Sequence, residues 1–547
     1  MCGIYAQFGS FKINDALKCL KKLEYRGYDS YGIGYGNNQI YKNIGRIDFV
    51  NEDENLMIKK AICHTRWATN GSVNVVNAHP QISSDKQIIL VHNGILENES
   101  IIKDTYFKNH QFLSDTDTEV ITELLSLFIK RYPPFDAIKR VMEIIKGSYA
   151  IIFMIKDDEN IYFMKNKSSL LLGYNDTDYY LASDIYAFKE NTKYYKHISD
   201  MSFGCIGPNM YLTDQSSFIP YSFNFNDPKE QIMLDEIGEE EKLALNIFNN
   251  FKADEKLLKL LEETSEFVLI GSGSSFYASE YIALMIEQEL GIRARAFLPT
   301  EYSYNDIYNK STFIFISQSG ETADVLAAID KIKPKKAMLI TNSFTSQMTL
   351  HIPLILDMHA GKEIAVASTK SFNQSVLVFY TLIKQFKGEE PKEILNYVKN
   401  LEEIKKTFDN NNNNIPKEIS KMKNVFYLGH GYDYIISKEG ALKLKEIAYI
   451  PTEGYSTSEL KHGSLALISD KSAVIGLSSN DSFLISCLNE VRARGGKVFF
   501  LKNKYPGGLL GALSLSRYVQ LIAYYTAKEL GNDPDHPRNL AKSVTVI

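Results

Sequence analysis

The sequence predicts an α+β layered domain followed by two α/β lobes, each built on a doubly wound parallel sheet. Three observations carry that prediction. Up to residue 220 the chain holds short β-branched or aromatic runs with polar breaks and few helical patterns. From 241 onward helix and strand alternate. Within that second part the unit strand, Gly-x-Gly, helix occurs twice.

In the first part, domain 2–220, IIFMI (151–155), IYFM (161–164) and DYYLAS (178–183) read as strands. Residues 13–23, apolar at 13, 16, 17, 20 and 23, read as a helix, as does 118–129 after its Asp/Thr-rich start. Residues 221–240 change character. Acidic residues and one proline replace the strand pattern, which reads as a linker entering a helix. In the first lobe, 241–409, strands at 267–270, 313–316, 337–340 and 352–356 alternate with helices at 275–288 and 321–332. An Asn run at 410–414 marks a break, and the second lobe spans 415–547. FVLIGSGSS (267–275) is similar to NVFYLGHGYD (424–433), and each is followed by a strand ending in Ser. Duplication of one lobe is the economical reading.

The 547 residues suit three or four domains at about 150 residues each. With 44% hydrophobic and 23% charged residues, wholesale disorder is excluded. A net charge of −5 gives no basic field for nucleic acid or an anionic membrane. No apolar run approaches the roughly 18 residues of a membrane span, and the start lacks a signal-peptide pattern. Five cysteines without CxxC spacing argue for a reducing compartment and against a disulfide framework or a structural zinc site. The expectation is a soluble cytoplasmic protein with no metal. One oddity is Trp67, a single Trp among 34 Tyr and 30 Phe.

Cys2 precedes Gly3. Removal of the initiator Met would make Cys2 its own general base, because an α-amine of pKa about 7.7–8.0 lies close to a thiol of about 8.5. Five motifs follow in order: LEYRGYDS (23–30), HTRWAT (64–69), NAHP (77–80), VHNGILEN (91–98) and SDTDTEV (114–120). Together they closely resemble the glutamine amidotransferase domain of the N-terminal nucleophile class, over residues 2 to about 200. The resemblance implies that Cys2 attacks the side-chain amide of L-glutamine. Asn93 and Gly94 would form the oxyanion hole. Arg66 would fork onto the α-carboxylate, and Asp117 would pair with the α-ammonium. Arg26 and His79 would shape the pocket, and Trp67 would gate an ammonia path.

The second half holds neither an ATP pyrophosphatase loop nor G-x-x-x-x-G-K-[ST], which sets it apart from asparagine-forming enzymes. SQSGETADVLAA (317–328) is a hydroxyl-rich turn opening a helix, able to offer N–H groups, hydroxyls and a helix dipole to a phosphate. Its candidates are Ser317, Gln318, Ser319 and Thr322. GSGSS (271–275) adds Ser272, Gly273, Ser274 and Ser275. These turns resemble a pair of sugar isomerase (SIS) domains. EIAVASTKSF (363–372) resembles their sugar-contacting segment, through Glu363, Val366 and Ser368. In EGALKLKEIAYI (439–450), Lys443 and Glu446 share a helical face, and in isolation they read as a solvent-exposed ion pair. With SELKHGSLALI (458–468) and RNLAKSVTV (538–546), nearly the whole chain resembles the glutamine:fructose-6-phosphate aminotransferase (isomerising) family.

The resemblance implies a homodimer acting on glutamine and fructose 6-phosphate. His462 would open the ring. Lys542 would form a Schiff base at C2, and ammonia would replace it. Glu446 would then move a proton between C1 and C2. Lys443 would join the sugar-phosphate site. No redox or pyridoxal cofactor is needed, because the substrate carbonyl is the electron sink. Some segments depart from the family. Ser272 and Ser274 stand where Cys and Thr are usual, the linker at 231–237 is short, and KYPGGLLGALSLSRY (504–518) replaces a longer strand-bearing piece. A second sheet lacking an edge strand is therefore expected. A related aminotransferase for another phosphorylated or nucleotide-linked ketose, or a sensor without turnover, are the alternatives. Intact Cys2, Glu446, His462 and Lys542 speak against the sensor.

Overall fold

Alternation along the strand Gly3–Lys12 feeds two cores at once, and that fixes the architecture of the first part. A computed structural model describes residues 2–48, 56–68, 71–188, 192–221, 231–302, 310–409, 414–478, 482–505 and 508–543. The chain divides into two compact units, one up to Asn226 and one from Asp227 to Lys542.

The first unit has four layers. Two sheets, of eight and six strands, pair antiparallel within themselves and pack face to face. Ile4, Ala6 and Ile62 of the first sheet meet Ile89, Val91 and Ile152 of the second. The intervening residues point outward. Tyr5 and Cys63 pack on Ile13, Leu17 and Leu20 of the helix Ile13–Lys21. Leu90, Ile151 and Phe153 pack on the helices Asp117–Ile129 and Pro134–Ile144. Burial of both faces explains why these strands read as almost continuous apolar runs. The helices at 13–23 and 118–129 are present. Glu99–Tyr106 and Pro134–Ile144 escaped the sequence reading.

The second unit holds two parallel sheets. In the first, Glu266–Ile270 lies between Arg293–Phe297 and Thr312–Ile316, followed by Ala337–Thr341 and Ile355–Asp357. In the second, Asn424–Gly429 lies between Thr452–Ser456 and Ser472–Ser478, followed by Lys497–Lys502. The shared strand order supports duplication, and the second sheet is one strand shorter among the described residues. The connections change direction at the first strand of each sheet. The turns at 271–275 and 317–322 therefore stand at carboxyl ends flanking a switch point, where such folds bind ligands.

The helix expected at the end of the linker is present, and residues 231–240 are packed rather than free. They form the helix Ile232–Gly238 and open Glu240–Asn250, and Met233, Ile237, Ala244 and Ile247 are core residues. The two lobes also fall within one compact unit. One apolar core contains Leu269 and Ile314 of the first sheet together with Tyr427 and Ile475 of the second. Its centre includes the helix Gly508–Glu529, which takes up most of the segment expected to replace a strand-bearing piece. The Asn run at 410–413 lies outside the described residues. No helix among the described residues is long and apolar enough to cross a membrane.

Gly440, in the helix Tyr432–Lys443, packs tightly against Val519 of Gly508–Glu529. A Cβ there would lie 2.8 Å from Val519 Cβ. Replacing a helical glycine by alanine ordinarily gains about 1 kcal/mol. Here overpacking costing about 1–3 kcal/mol wins. Gly440→Ala is expected to lower the denaturation midpoint, and adding Val519→Ala to restore part of it.

Candidate active site

The first centre forms where two sheet ends meet. Gly3 pairs with Thr65, so Cys2 faces the end of the strand Met57–Arg66 and the residue that follows it. The Trp67 N–H donates to Cys2 Sγ at 3.3 Å, and the thiol lies 3.6 Å from the Trp67 carbonyl. Gly3 has no alternative, since a Cβ would sit 2.7 Å from Thr65 Oγ1 and 2.8 Å from Leu23 Cβ. From the second sheet, Asn93 Nδ2 donates to the Cys2 carbonyl at 2.9 Å. Gly94 follows at φ +140°, where a Cβ would lie 1.9 Å from the Ser148 carbonyl oxygen. Only glycine leaves that backbone in place beside the thiol.

Arg66 is buried, and its guanidinium lies 3.4 Å from the carbonyls of Gly71 and Ser72. Burial pulls its pKa down, and Cys2, Asp29, Asp117 and Asp115 oppose that. A buried cation close enough to Cys2 to feel its charge suits a carboxylate ligand. Asp117 opens a helix, where the dipole favours its charge, and accepts the Leu96 N–H at 2.8 Å. Asn77 links Ser72 to Asp115 and so closes a loop near Arg66. Asp29, absent from the sequence candidates, accepts the Ala68 N–H at 2.9 Å and holds the chain after Trp67. The Trp67 ring meets Tyr28 edge to face at 6.0 Å.

Arg26 and His79 act one layer back. Arg26 donates to the Ser183 carbonyl at 3.1 Å and lies 3.5 Å from Asp184. The Ser183 hydroxyl in turn accepts the Ile4 N–H, so Arg26 fixes the strand that starts at Cys2. His79 stacks on His64 at 4.0 Å and accepts the His92 N–H at 3.4 Å. Burial holds His79 well below 6.5 and pushes His64 down to about 3. These are neutral packing rings. His64 and His92 sit inside quoted motifs, which was the available signal.

The second centre joins the two lobes. The helix Tyr432–Lys443 widens into a π turn over Leu444–Ala448, and that turn carries Glu446. Extra residues of this kind commonly re-aim a functional side chain. Lys443 is fully buried, which overturns the exposed ion pair expected from spacing alone. Its ammonium lies 2.7 Å from Glu446, 3.3 Å from Glu439 and 3.1 Å from Ser274 Oγ of the first lobe. Ser274 also donates to Glu439 at 3.0 Å. Burial raises Glu439 to about 7, and Lys443 opposes the rise. For Lys443 burial acts downward, but Glu439 and then Glu446 reverse it and hold the ammonium above its ordinary range. Beside Glu446 a cleft of about 320 Å³ is lined by Lys445, Tyr449, Pro451, Arg538, Asn539 and Leu540 among others.

Lys542, two residues beyond the cleft-lining Leu540, pairs with buried Glu363. Burial would raise Glu363. Lys542 and the amide and hydroxyl of Ser371 bring it down to about 2. Val366 and Ser368 lie on the same loop, and Ser368 Oγ is 2.6 Å from Ser371 Oγ. At 317–322, Ser317 Oγ accepts the Gly320 N–H at 3.1 Å and lies 3.1 Å from Thr322 Oγ1. Ser319 Oγ accepts the Glu321 N–H, and the Gln318 carbonyl accepts the Asn342 N–H. Ser272, Gly273 and Ser275 lie where the strand Glu266–Ile270 gives way to the helix Ser274–Leu290, with Gly273 at φ +59°. His462 is exposed on the turn Glu459–His462 and is not among the residues lining the cleft.

Among the described residues, His110, Glu119 and Glu123 could hold a metal ion, with ligand atoms within 4.8 Å of one another. Both carboxylates already accept backbone N–H groups, from Leu113, Ser114 and Ser84. That bonding accounts for their burial.

Comparison with known proteins agrees with this division. Residues 64–190 match the model of a glutamine amidotransferase domain, and residues 260–385 and 418–507 match the SIS domain. Proteins named glutamine–fructose-6-phosphate aminotransferase [isomerizing] from Oceanobacillus iheyensis and Bacillus subtilis are 35% and 34% identical, each over all of both chains. Among solved structures, the C-terminal domain of glucosamine-fructose-6-phosphate aminotransferase from Francisella tularensis matches with a TM-score of 0.51 and 29% identity. It covers 56% of this chain and 99% of its own. A glucosamine-6-phosphate deaminase from Thermotoga maritima matches with a TM-score of 0.51 and 25% identity, over 58% and 99%.

Two outcomes follow from this geometry. Gly94→Ala should abolish glutamate release by about 10²-fold or more, measured with glutamine alone. Glu439 keeps its proton to about pH 7 when folded, against 4.5 when unfolded. The unfolded chain therefore ionises first, and this group makes stability fall as pH rises from about 4.5 to about 7. Denaturation of Glu439→Gln across that window should show a smaller fall than the unsubstituted chain.

Proposed function

The chain belongs to the glutamine–fructose-6-phosphate aminotransferase (isomerizing) family, and on that premise we propose that it moves the amide nitrogen of L-glutamine to fructose 6-phosphate, giving glucosamine 6-phosphate and glutamate. The observation that carries this is the chain of contacts Ser274–Glu439–Lys443–Glu446. It seats a carboxylate beside a cleft, next to a hydroxyl-rich turn, in a chain that also builds a thiol centre.

At the first centre Cys2 attacks the glutamine amide carbon, with its α-amine as base once Met1 is removed. Asn93 Nδ2 and the Gly94 N–H stabilise the oxyanion. Arg66 and Asp117 hold the α-carboxylate and α-ammonium. Ammonia leaves, water cleaves the thioester, and Trp67 gates the ammonia. At the second centre the turns at 271–275 and 317–322 hold the phosphate through N–H groups and hydroxyls. Glu363, Val366 and Ser368 contact the sugar, and His462 opens the ring. Lys542 condenses with the C2 carbonyl and releases water, and ammonia then displaces the lysine. Glu446 takes the C1 proton and returns it at C2, which turns the ketose imine into an aminoaldose. Lys443 fixes the Glu446 carboxylate at 2.7 Å. We place the protein in the cytoplasm as a homodimer through its sugar isomerase lobes, a state that sedimentation would test.

The test is incubation with glutamine and a panel of ketose phosphates. Amino sugar should form with fructose 6-phosphate. Preference for another ketose would replace the substrate assignment. Borohydride should trap the sugar on Lys542 in the unsubstituted chain and in Cys2→Ala, and not in Lys542→Ala. Cys2→Ala should lose glutamate release by about 10³-fold or more.

A further inference from the structure

The acidic run after residue 231 has a use that no motif specifies. Glu236 lies in the helix Ile232–Gly238, Glu239 stands at the junction that follows it, and Glu240 opens the next helix. All three receive a single segment of the first lobe. Glu236 Oε1 accepts the N–H of Ile364 at 2.5 Å and of Ala365 at 3.3 Å. Glu239 pairs with Lys370 at 2.6 Å. Glu240 accepts the Asn373 amide at 2.7 Å.

That segment begins next to Glu363, the partner of Lys542. Glu363 accepts the N–H groups of Thr369 and Ser371 at 3.1 and 3.0 Å. The other end of the helix Ile232–Gly238 is tied down as well. Asp535, on the segment leading to Lys542, accepts the N–H of Ile232 at 3.2 Å and of Met233 at 2.7 Å. One short helix is thus fastened both to the stretch that follows Glu363 and to the stretch that precedes Lys542.

We propose that Glu236 is a positioning residue for the sugar chemistry: by holding the amides of Ile364 and Ala365 it sets Glu363, and through Glu363 the Lys542 ammonium, in the orientation Schiff-base formation requires. This rests on the assignment of Lys542 as the amine that condenses with the ketose. Positional error of about 1 Å in such a group costs about 10²-fold in rate. A carboxylate is an expensive choice at this place. Glu236 is buried and its Oε2 has no partner among the described residues. Burial and the charge of Glu363 raise it to about 7, against Lys542 and Lys370. Glu239 and Glu240 are the acidic neighbours on its own side.

The experiment compares Glu236→Ala and Glu236→Gln with the unsubstituted full-length chain. Three quantities are read: glutamate release from glutamine alone, amino-sugar formation, and borohydride trapping of fructose 6-phosphate on Lys542. Glu236→Ala should cut kcat for amino sugar and the trapping rate by about ten-fold or more, with KM for the sugar changed by less than about three-fold and glutamate release preserved. Glu236→Gln keeps an oxygen acceptor, so it should restore most of the rate. Trapping by Glu236→Ala at the unsubstituted rate would overturn the proposal. So would equal losses in both variants together with a lowered melting midpoint, since that marks a scaffold role alone. If the unsubstituted chain traps no sugar while releasing glutamate, the functional assignment falls and takes this inference with it.

Discussion

A lysine ammonium with no exposure to water must be paired, and that requirement organises the second unit. Lys443 meets it with Glu439 and Glu446, and the Ser274 hydroxyl adds a third contact. Breaking such a buried pair typically costs about 3–5 kcal/mol, whereas well-packed apolar residues would serve stability as well or better. Stability is therefore a poor reason for the cluster, and the work it does is positional. It ties the first turn of the helix Ser274–Leu290 to the helix Tyr432–Lys443 and points Glu446 from the π turn. The same economy recurs at Glu363, whose carboxylate gathers two N–H groups, a hydroxyl and the Lys542 ammonium.

The first unit solves its problem with backbone instead of charge. A nucleophile at Cys2, as proposed, needs room for a substrate carbonyl beside a close-packed sheet end. Gly3 and Gly94 provide that room because no side chain fits at either place. Behind them Arg26, His64, His79 and His92 fill space or pin strands. The Cys2 centre is thus backed by rigid, packed groups.

Much of this was readable from the chain because function left local patterns. Apolar strands buried on both faces gave the layers, and the two Gly-x-Gly units gave the duplication. Ordered motifs gave the thiol centre and the hydroxyl-rich turns. What escaped depended on contacts distant in sequence. Lys443 and Glu446 look solvated on a helical wheel, because the contacts that bury Lys443, to Ser274 among them, come from far along the chain. The acidic stripe at 236–240 reads as a linker for the same reason: its partners lie more than a hundred residues away. Helices such as Pro134–Ile144 were missed because a proline-led start resembles a turn until the first-turn exception is considered.

The shared core of the two lobes has one more consequence. Two copies of a fold that associate as separate chains do so only as far as their concentration allows. Here the copies are consecutive in one polypeptide and close around the same apolar interior, so their encounter is intramolecular. Dilution cannot part them. The two halves carry different groups: the first holds the hydroxyl-rich turns and Glu363, and the second holds Glu439, Lys443 and Glu446.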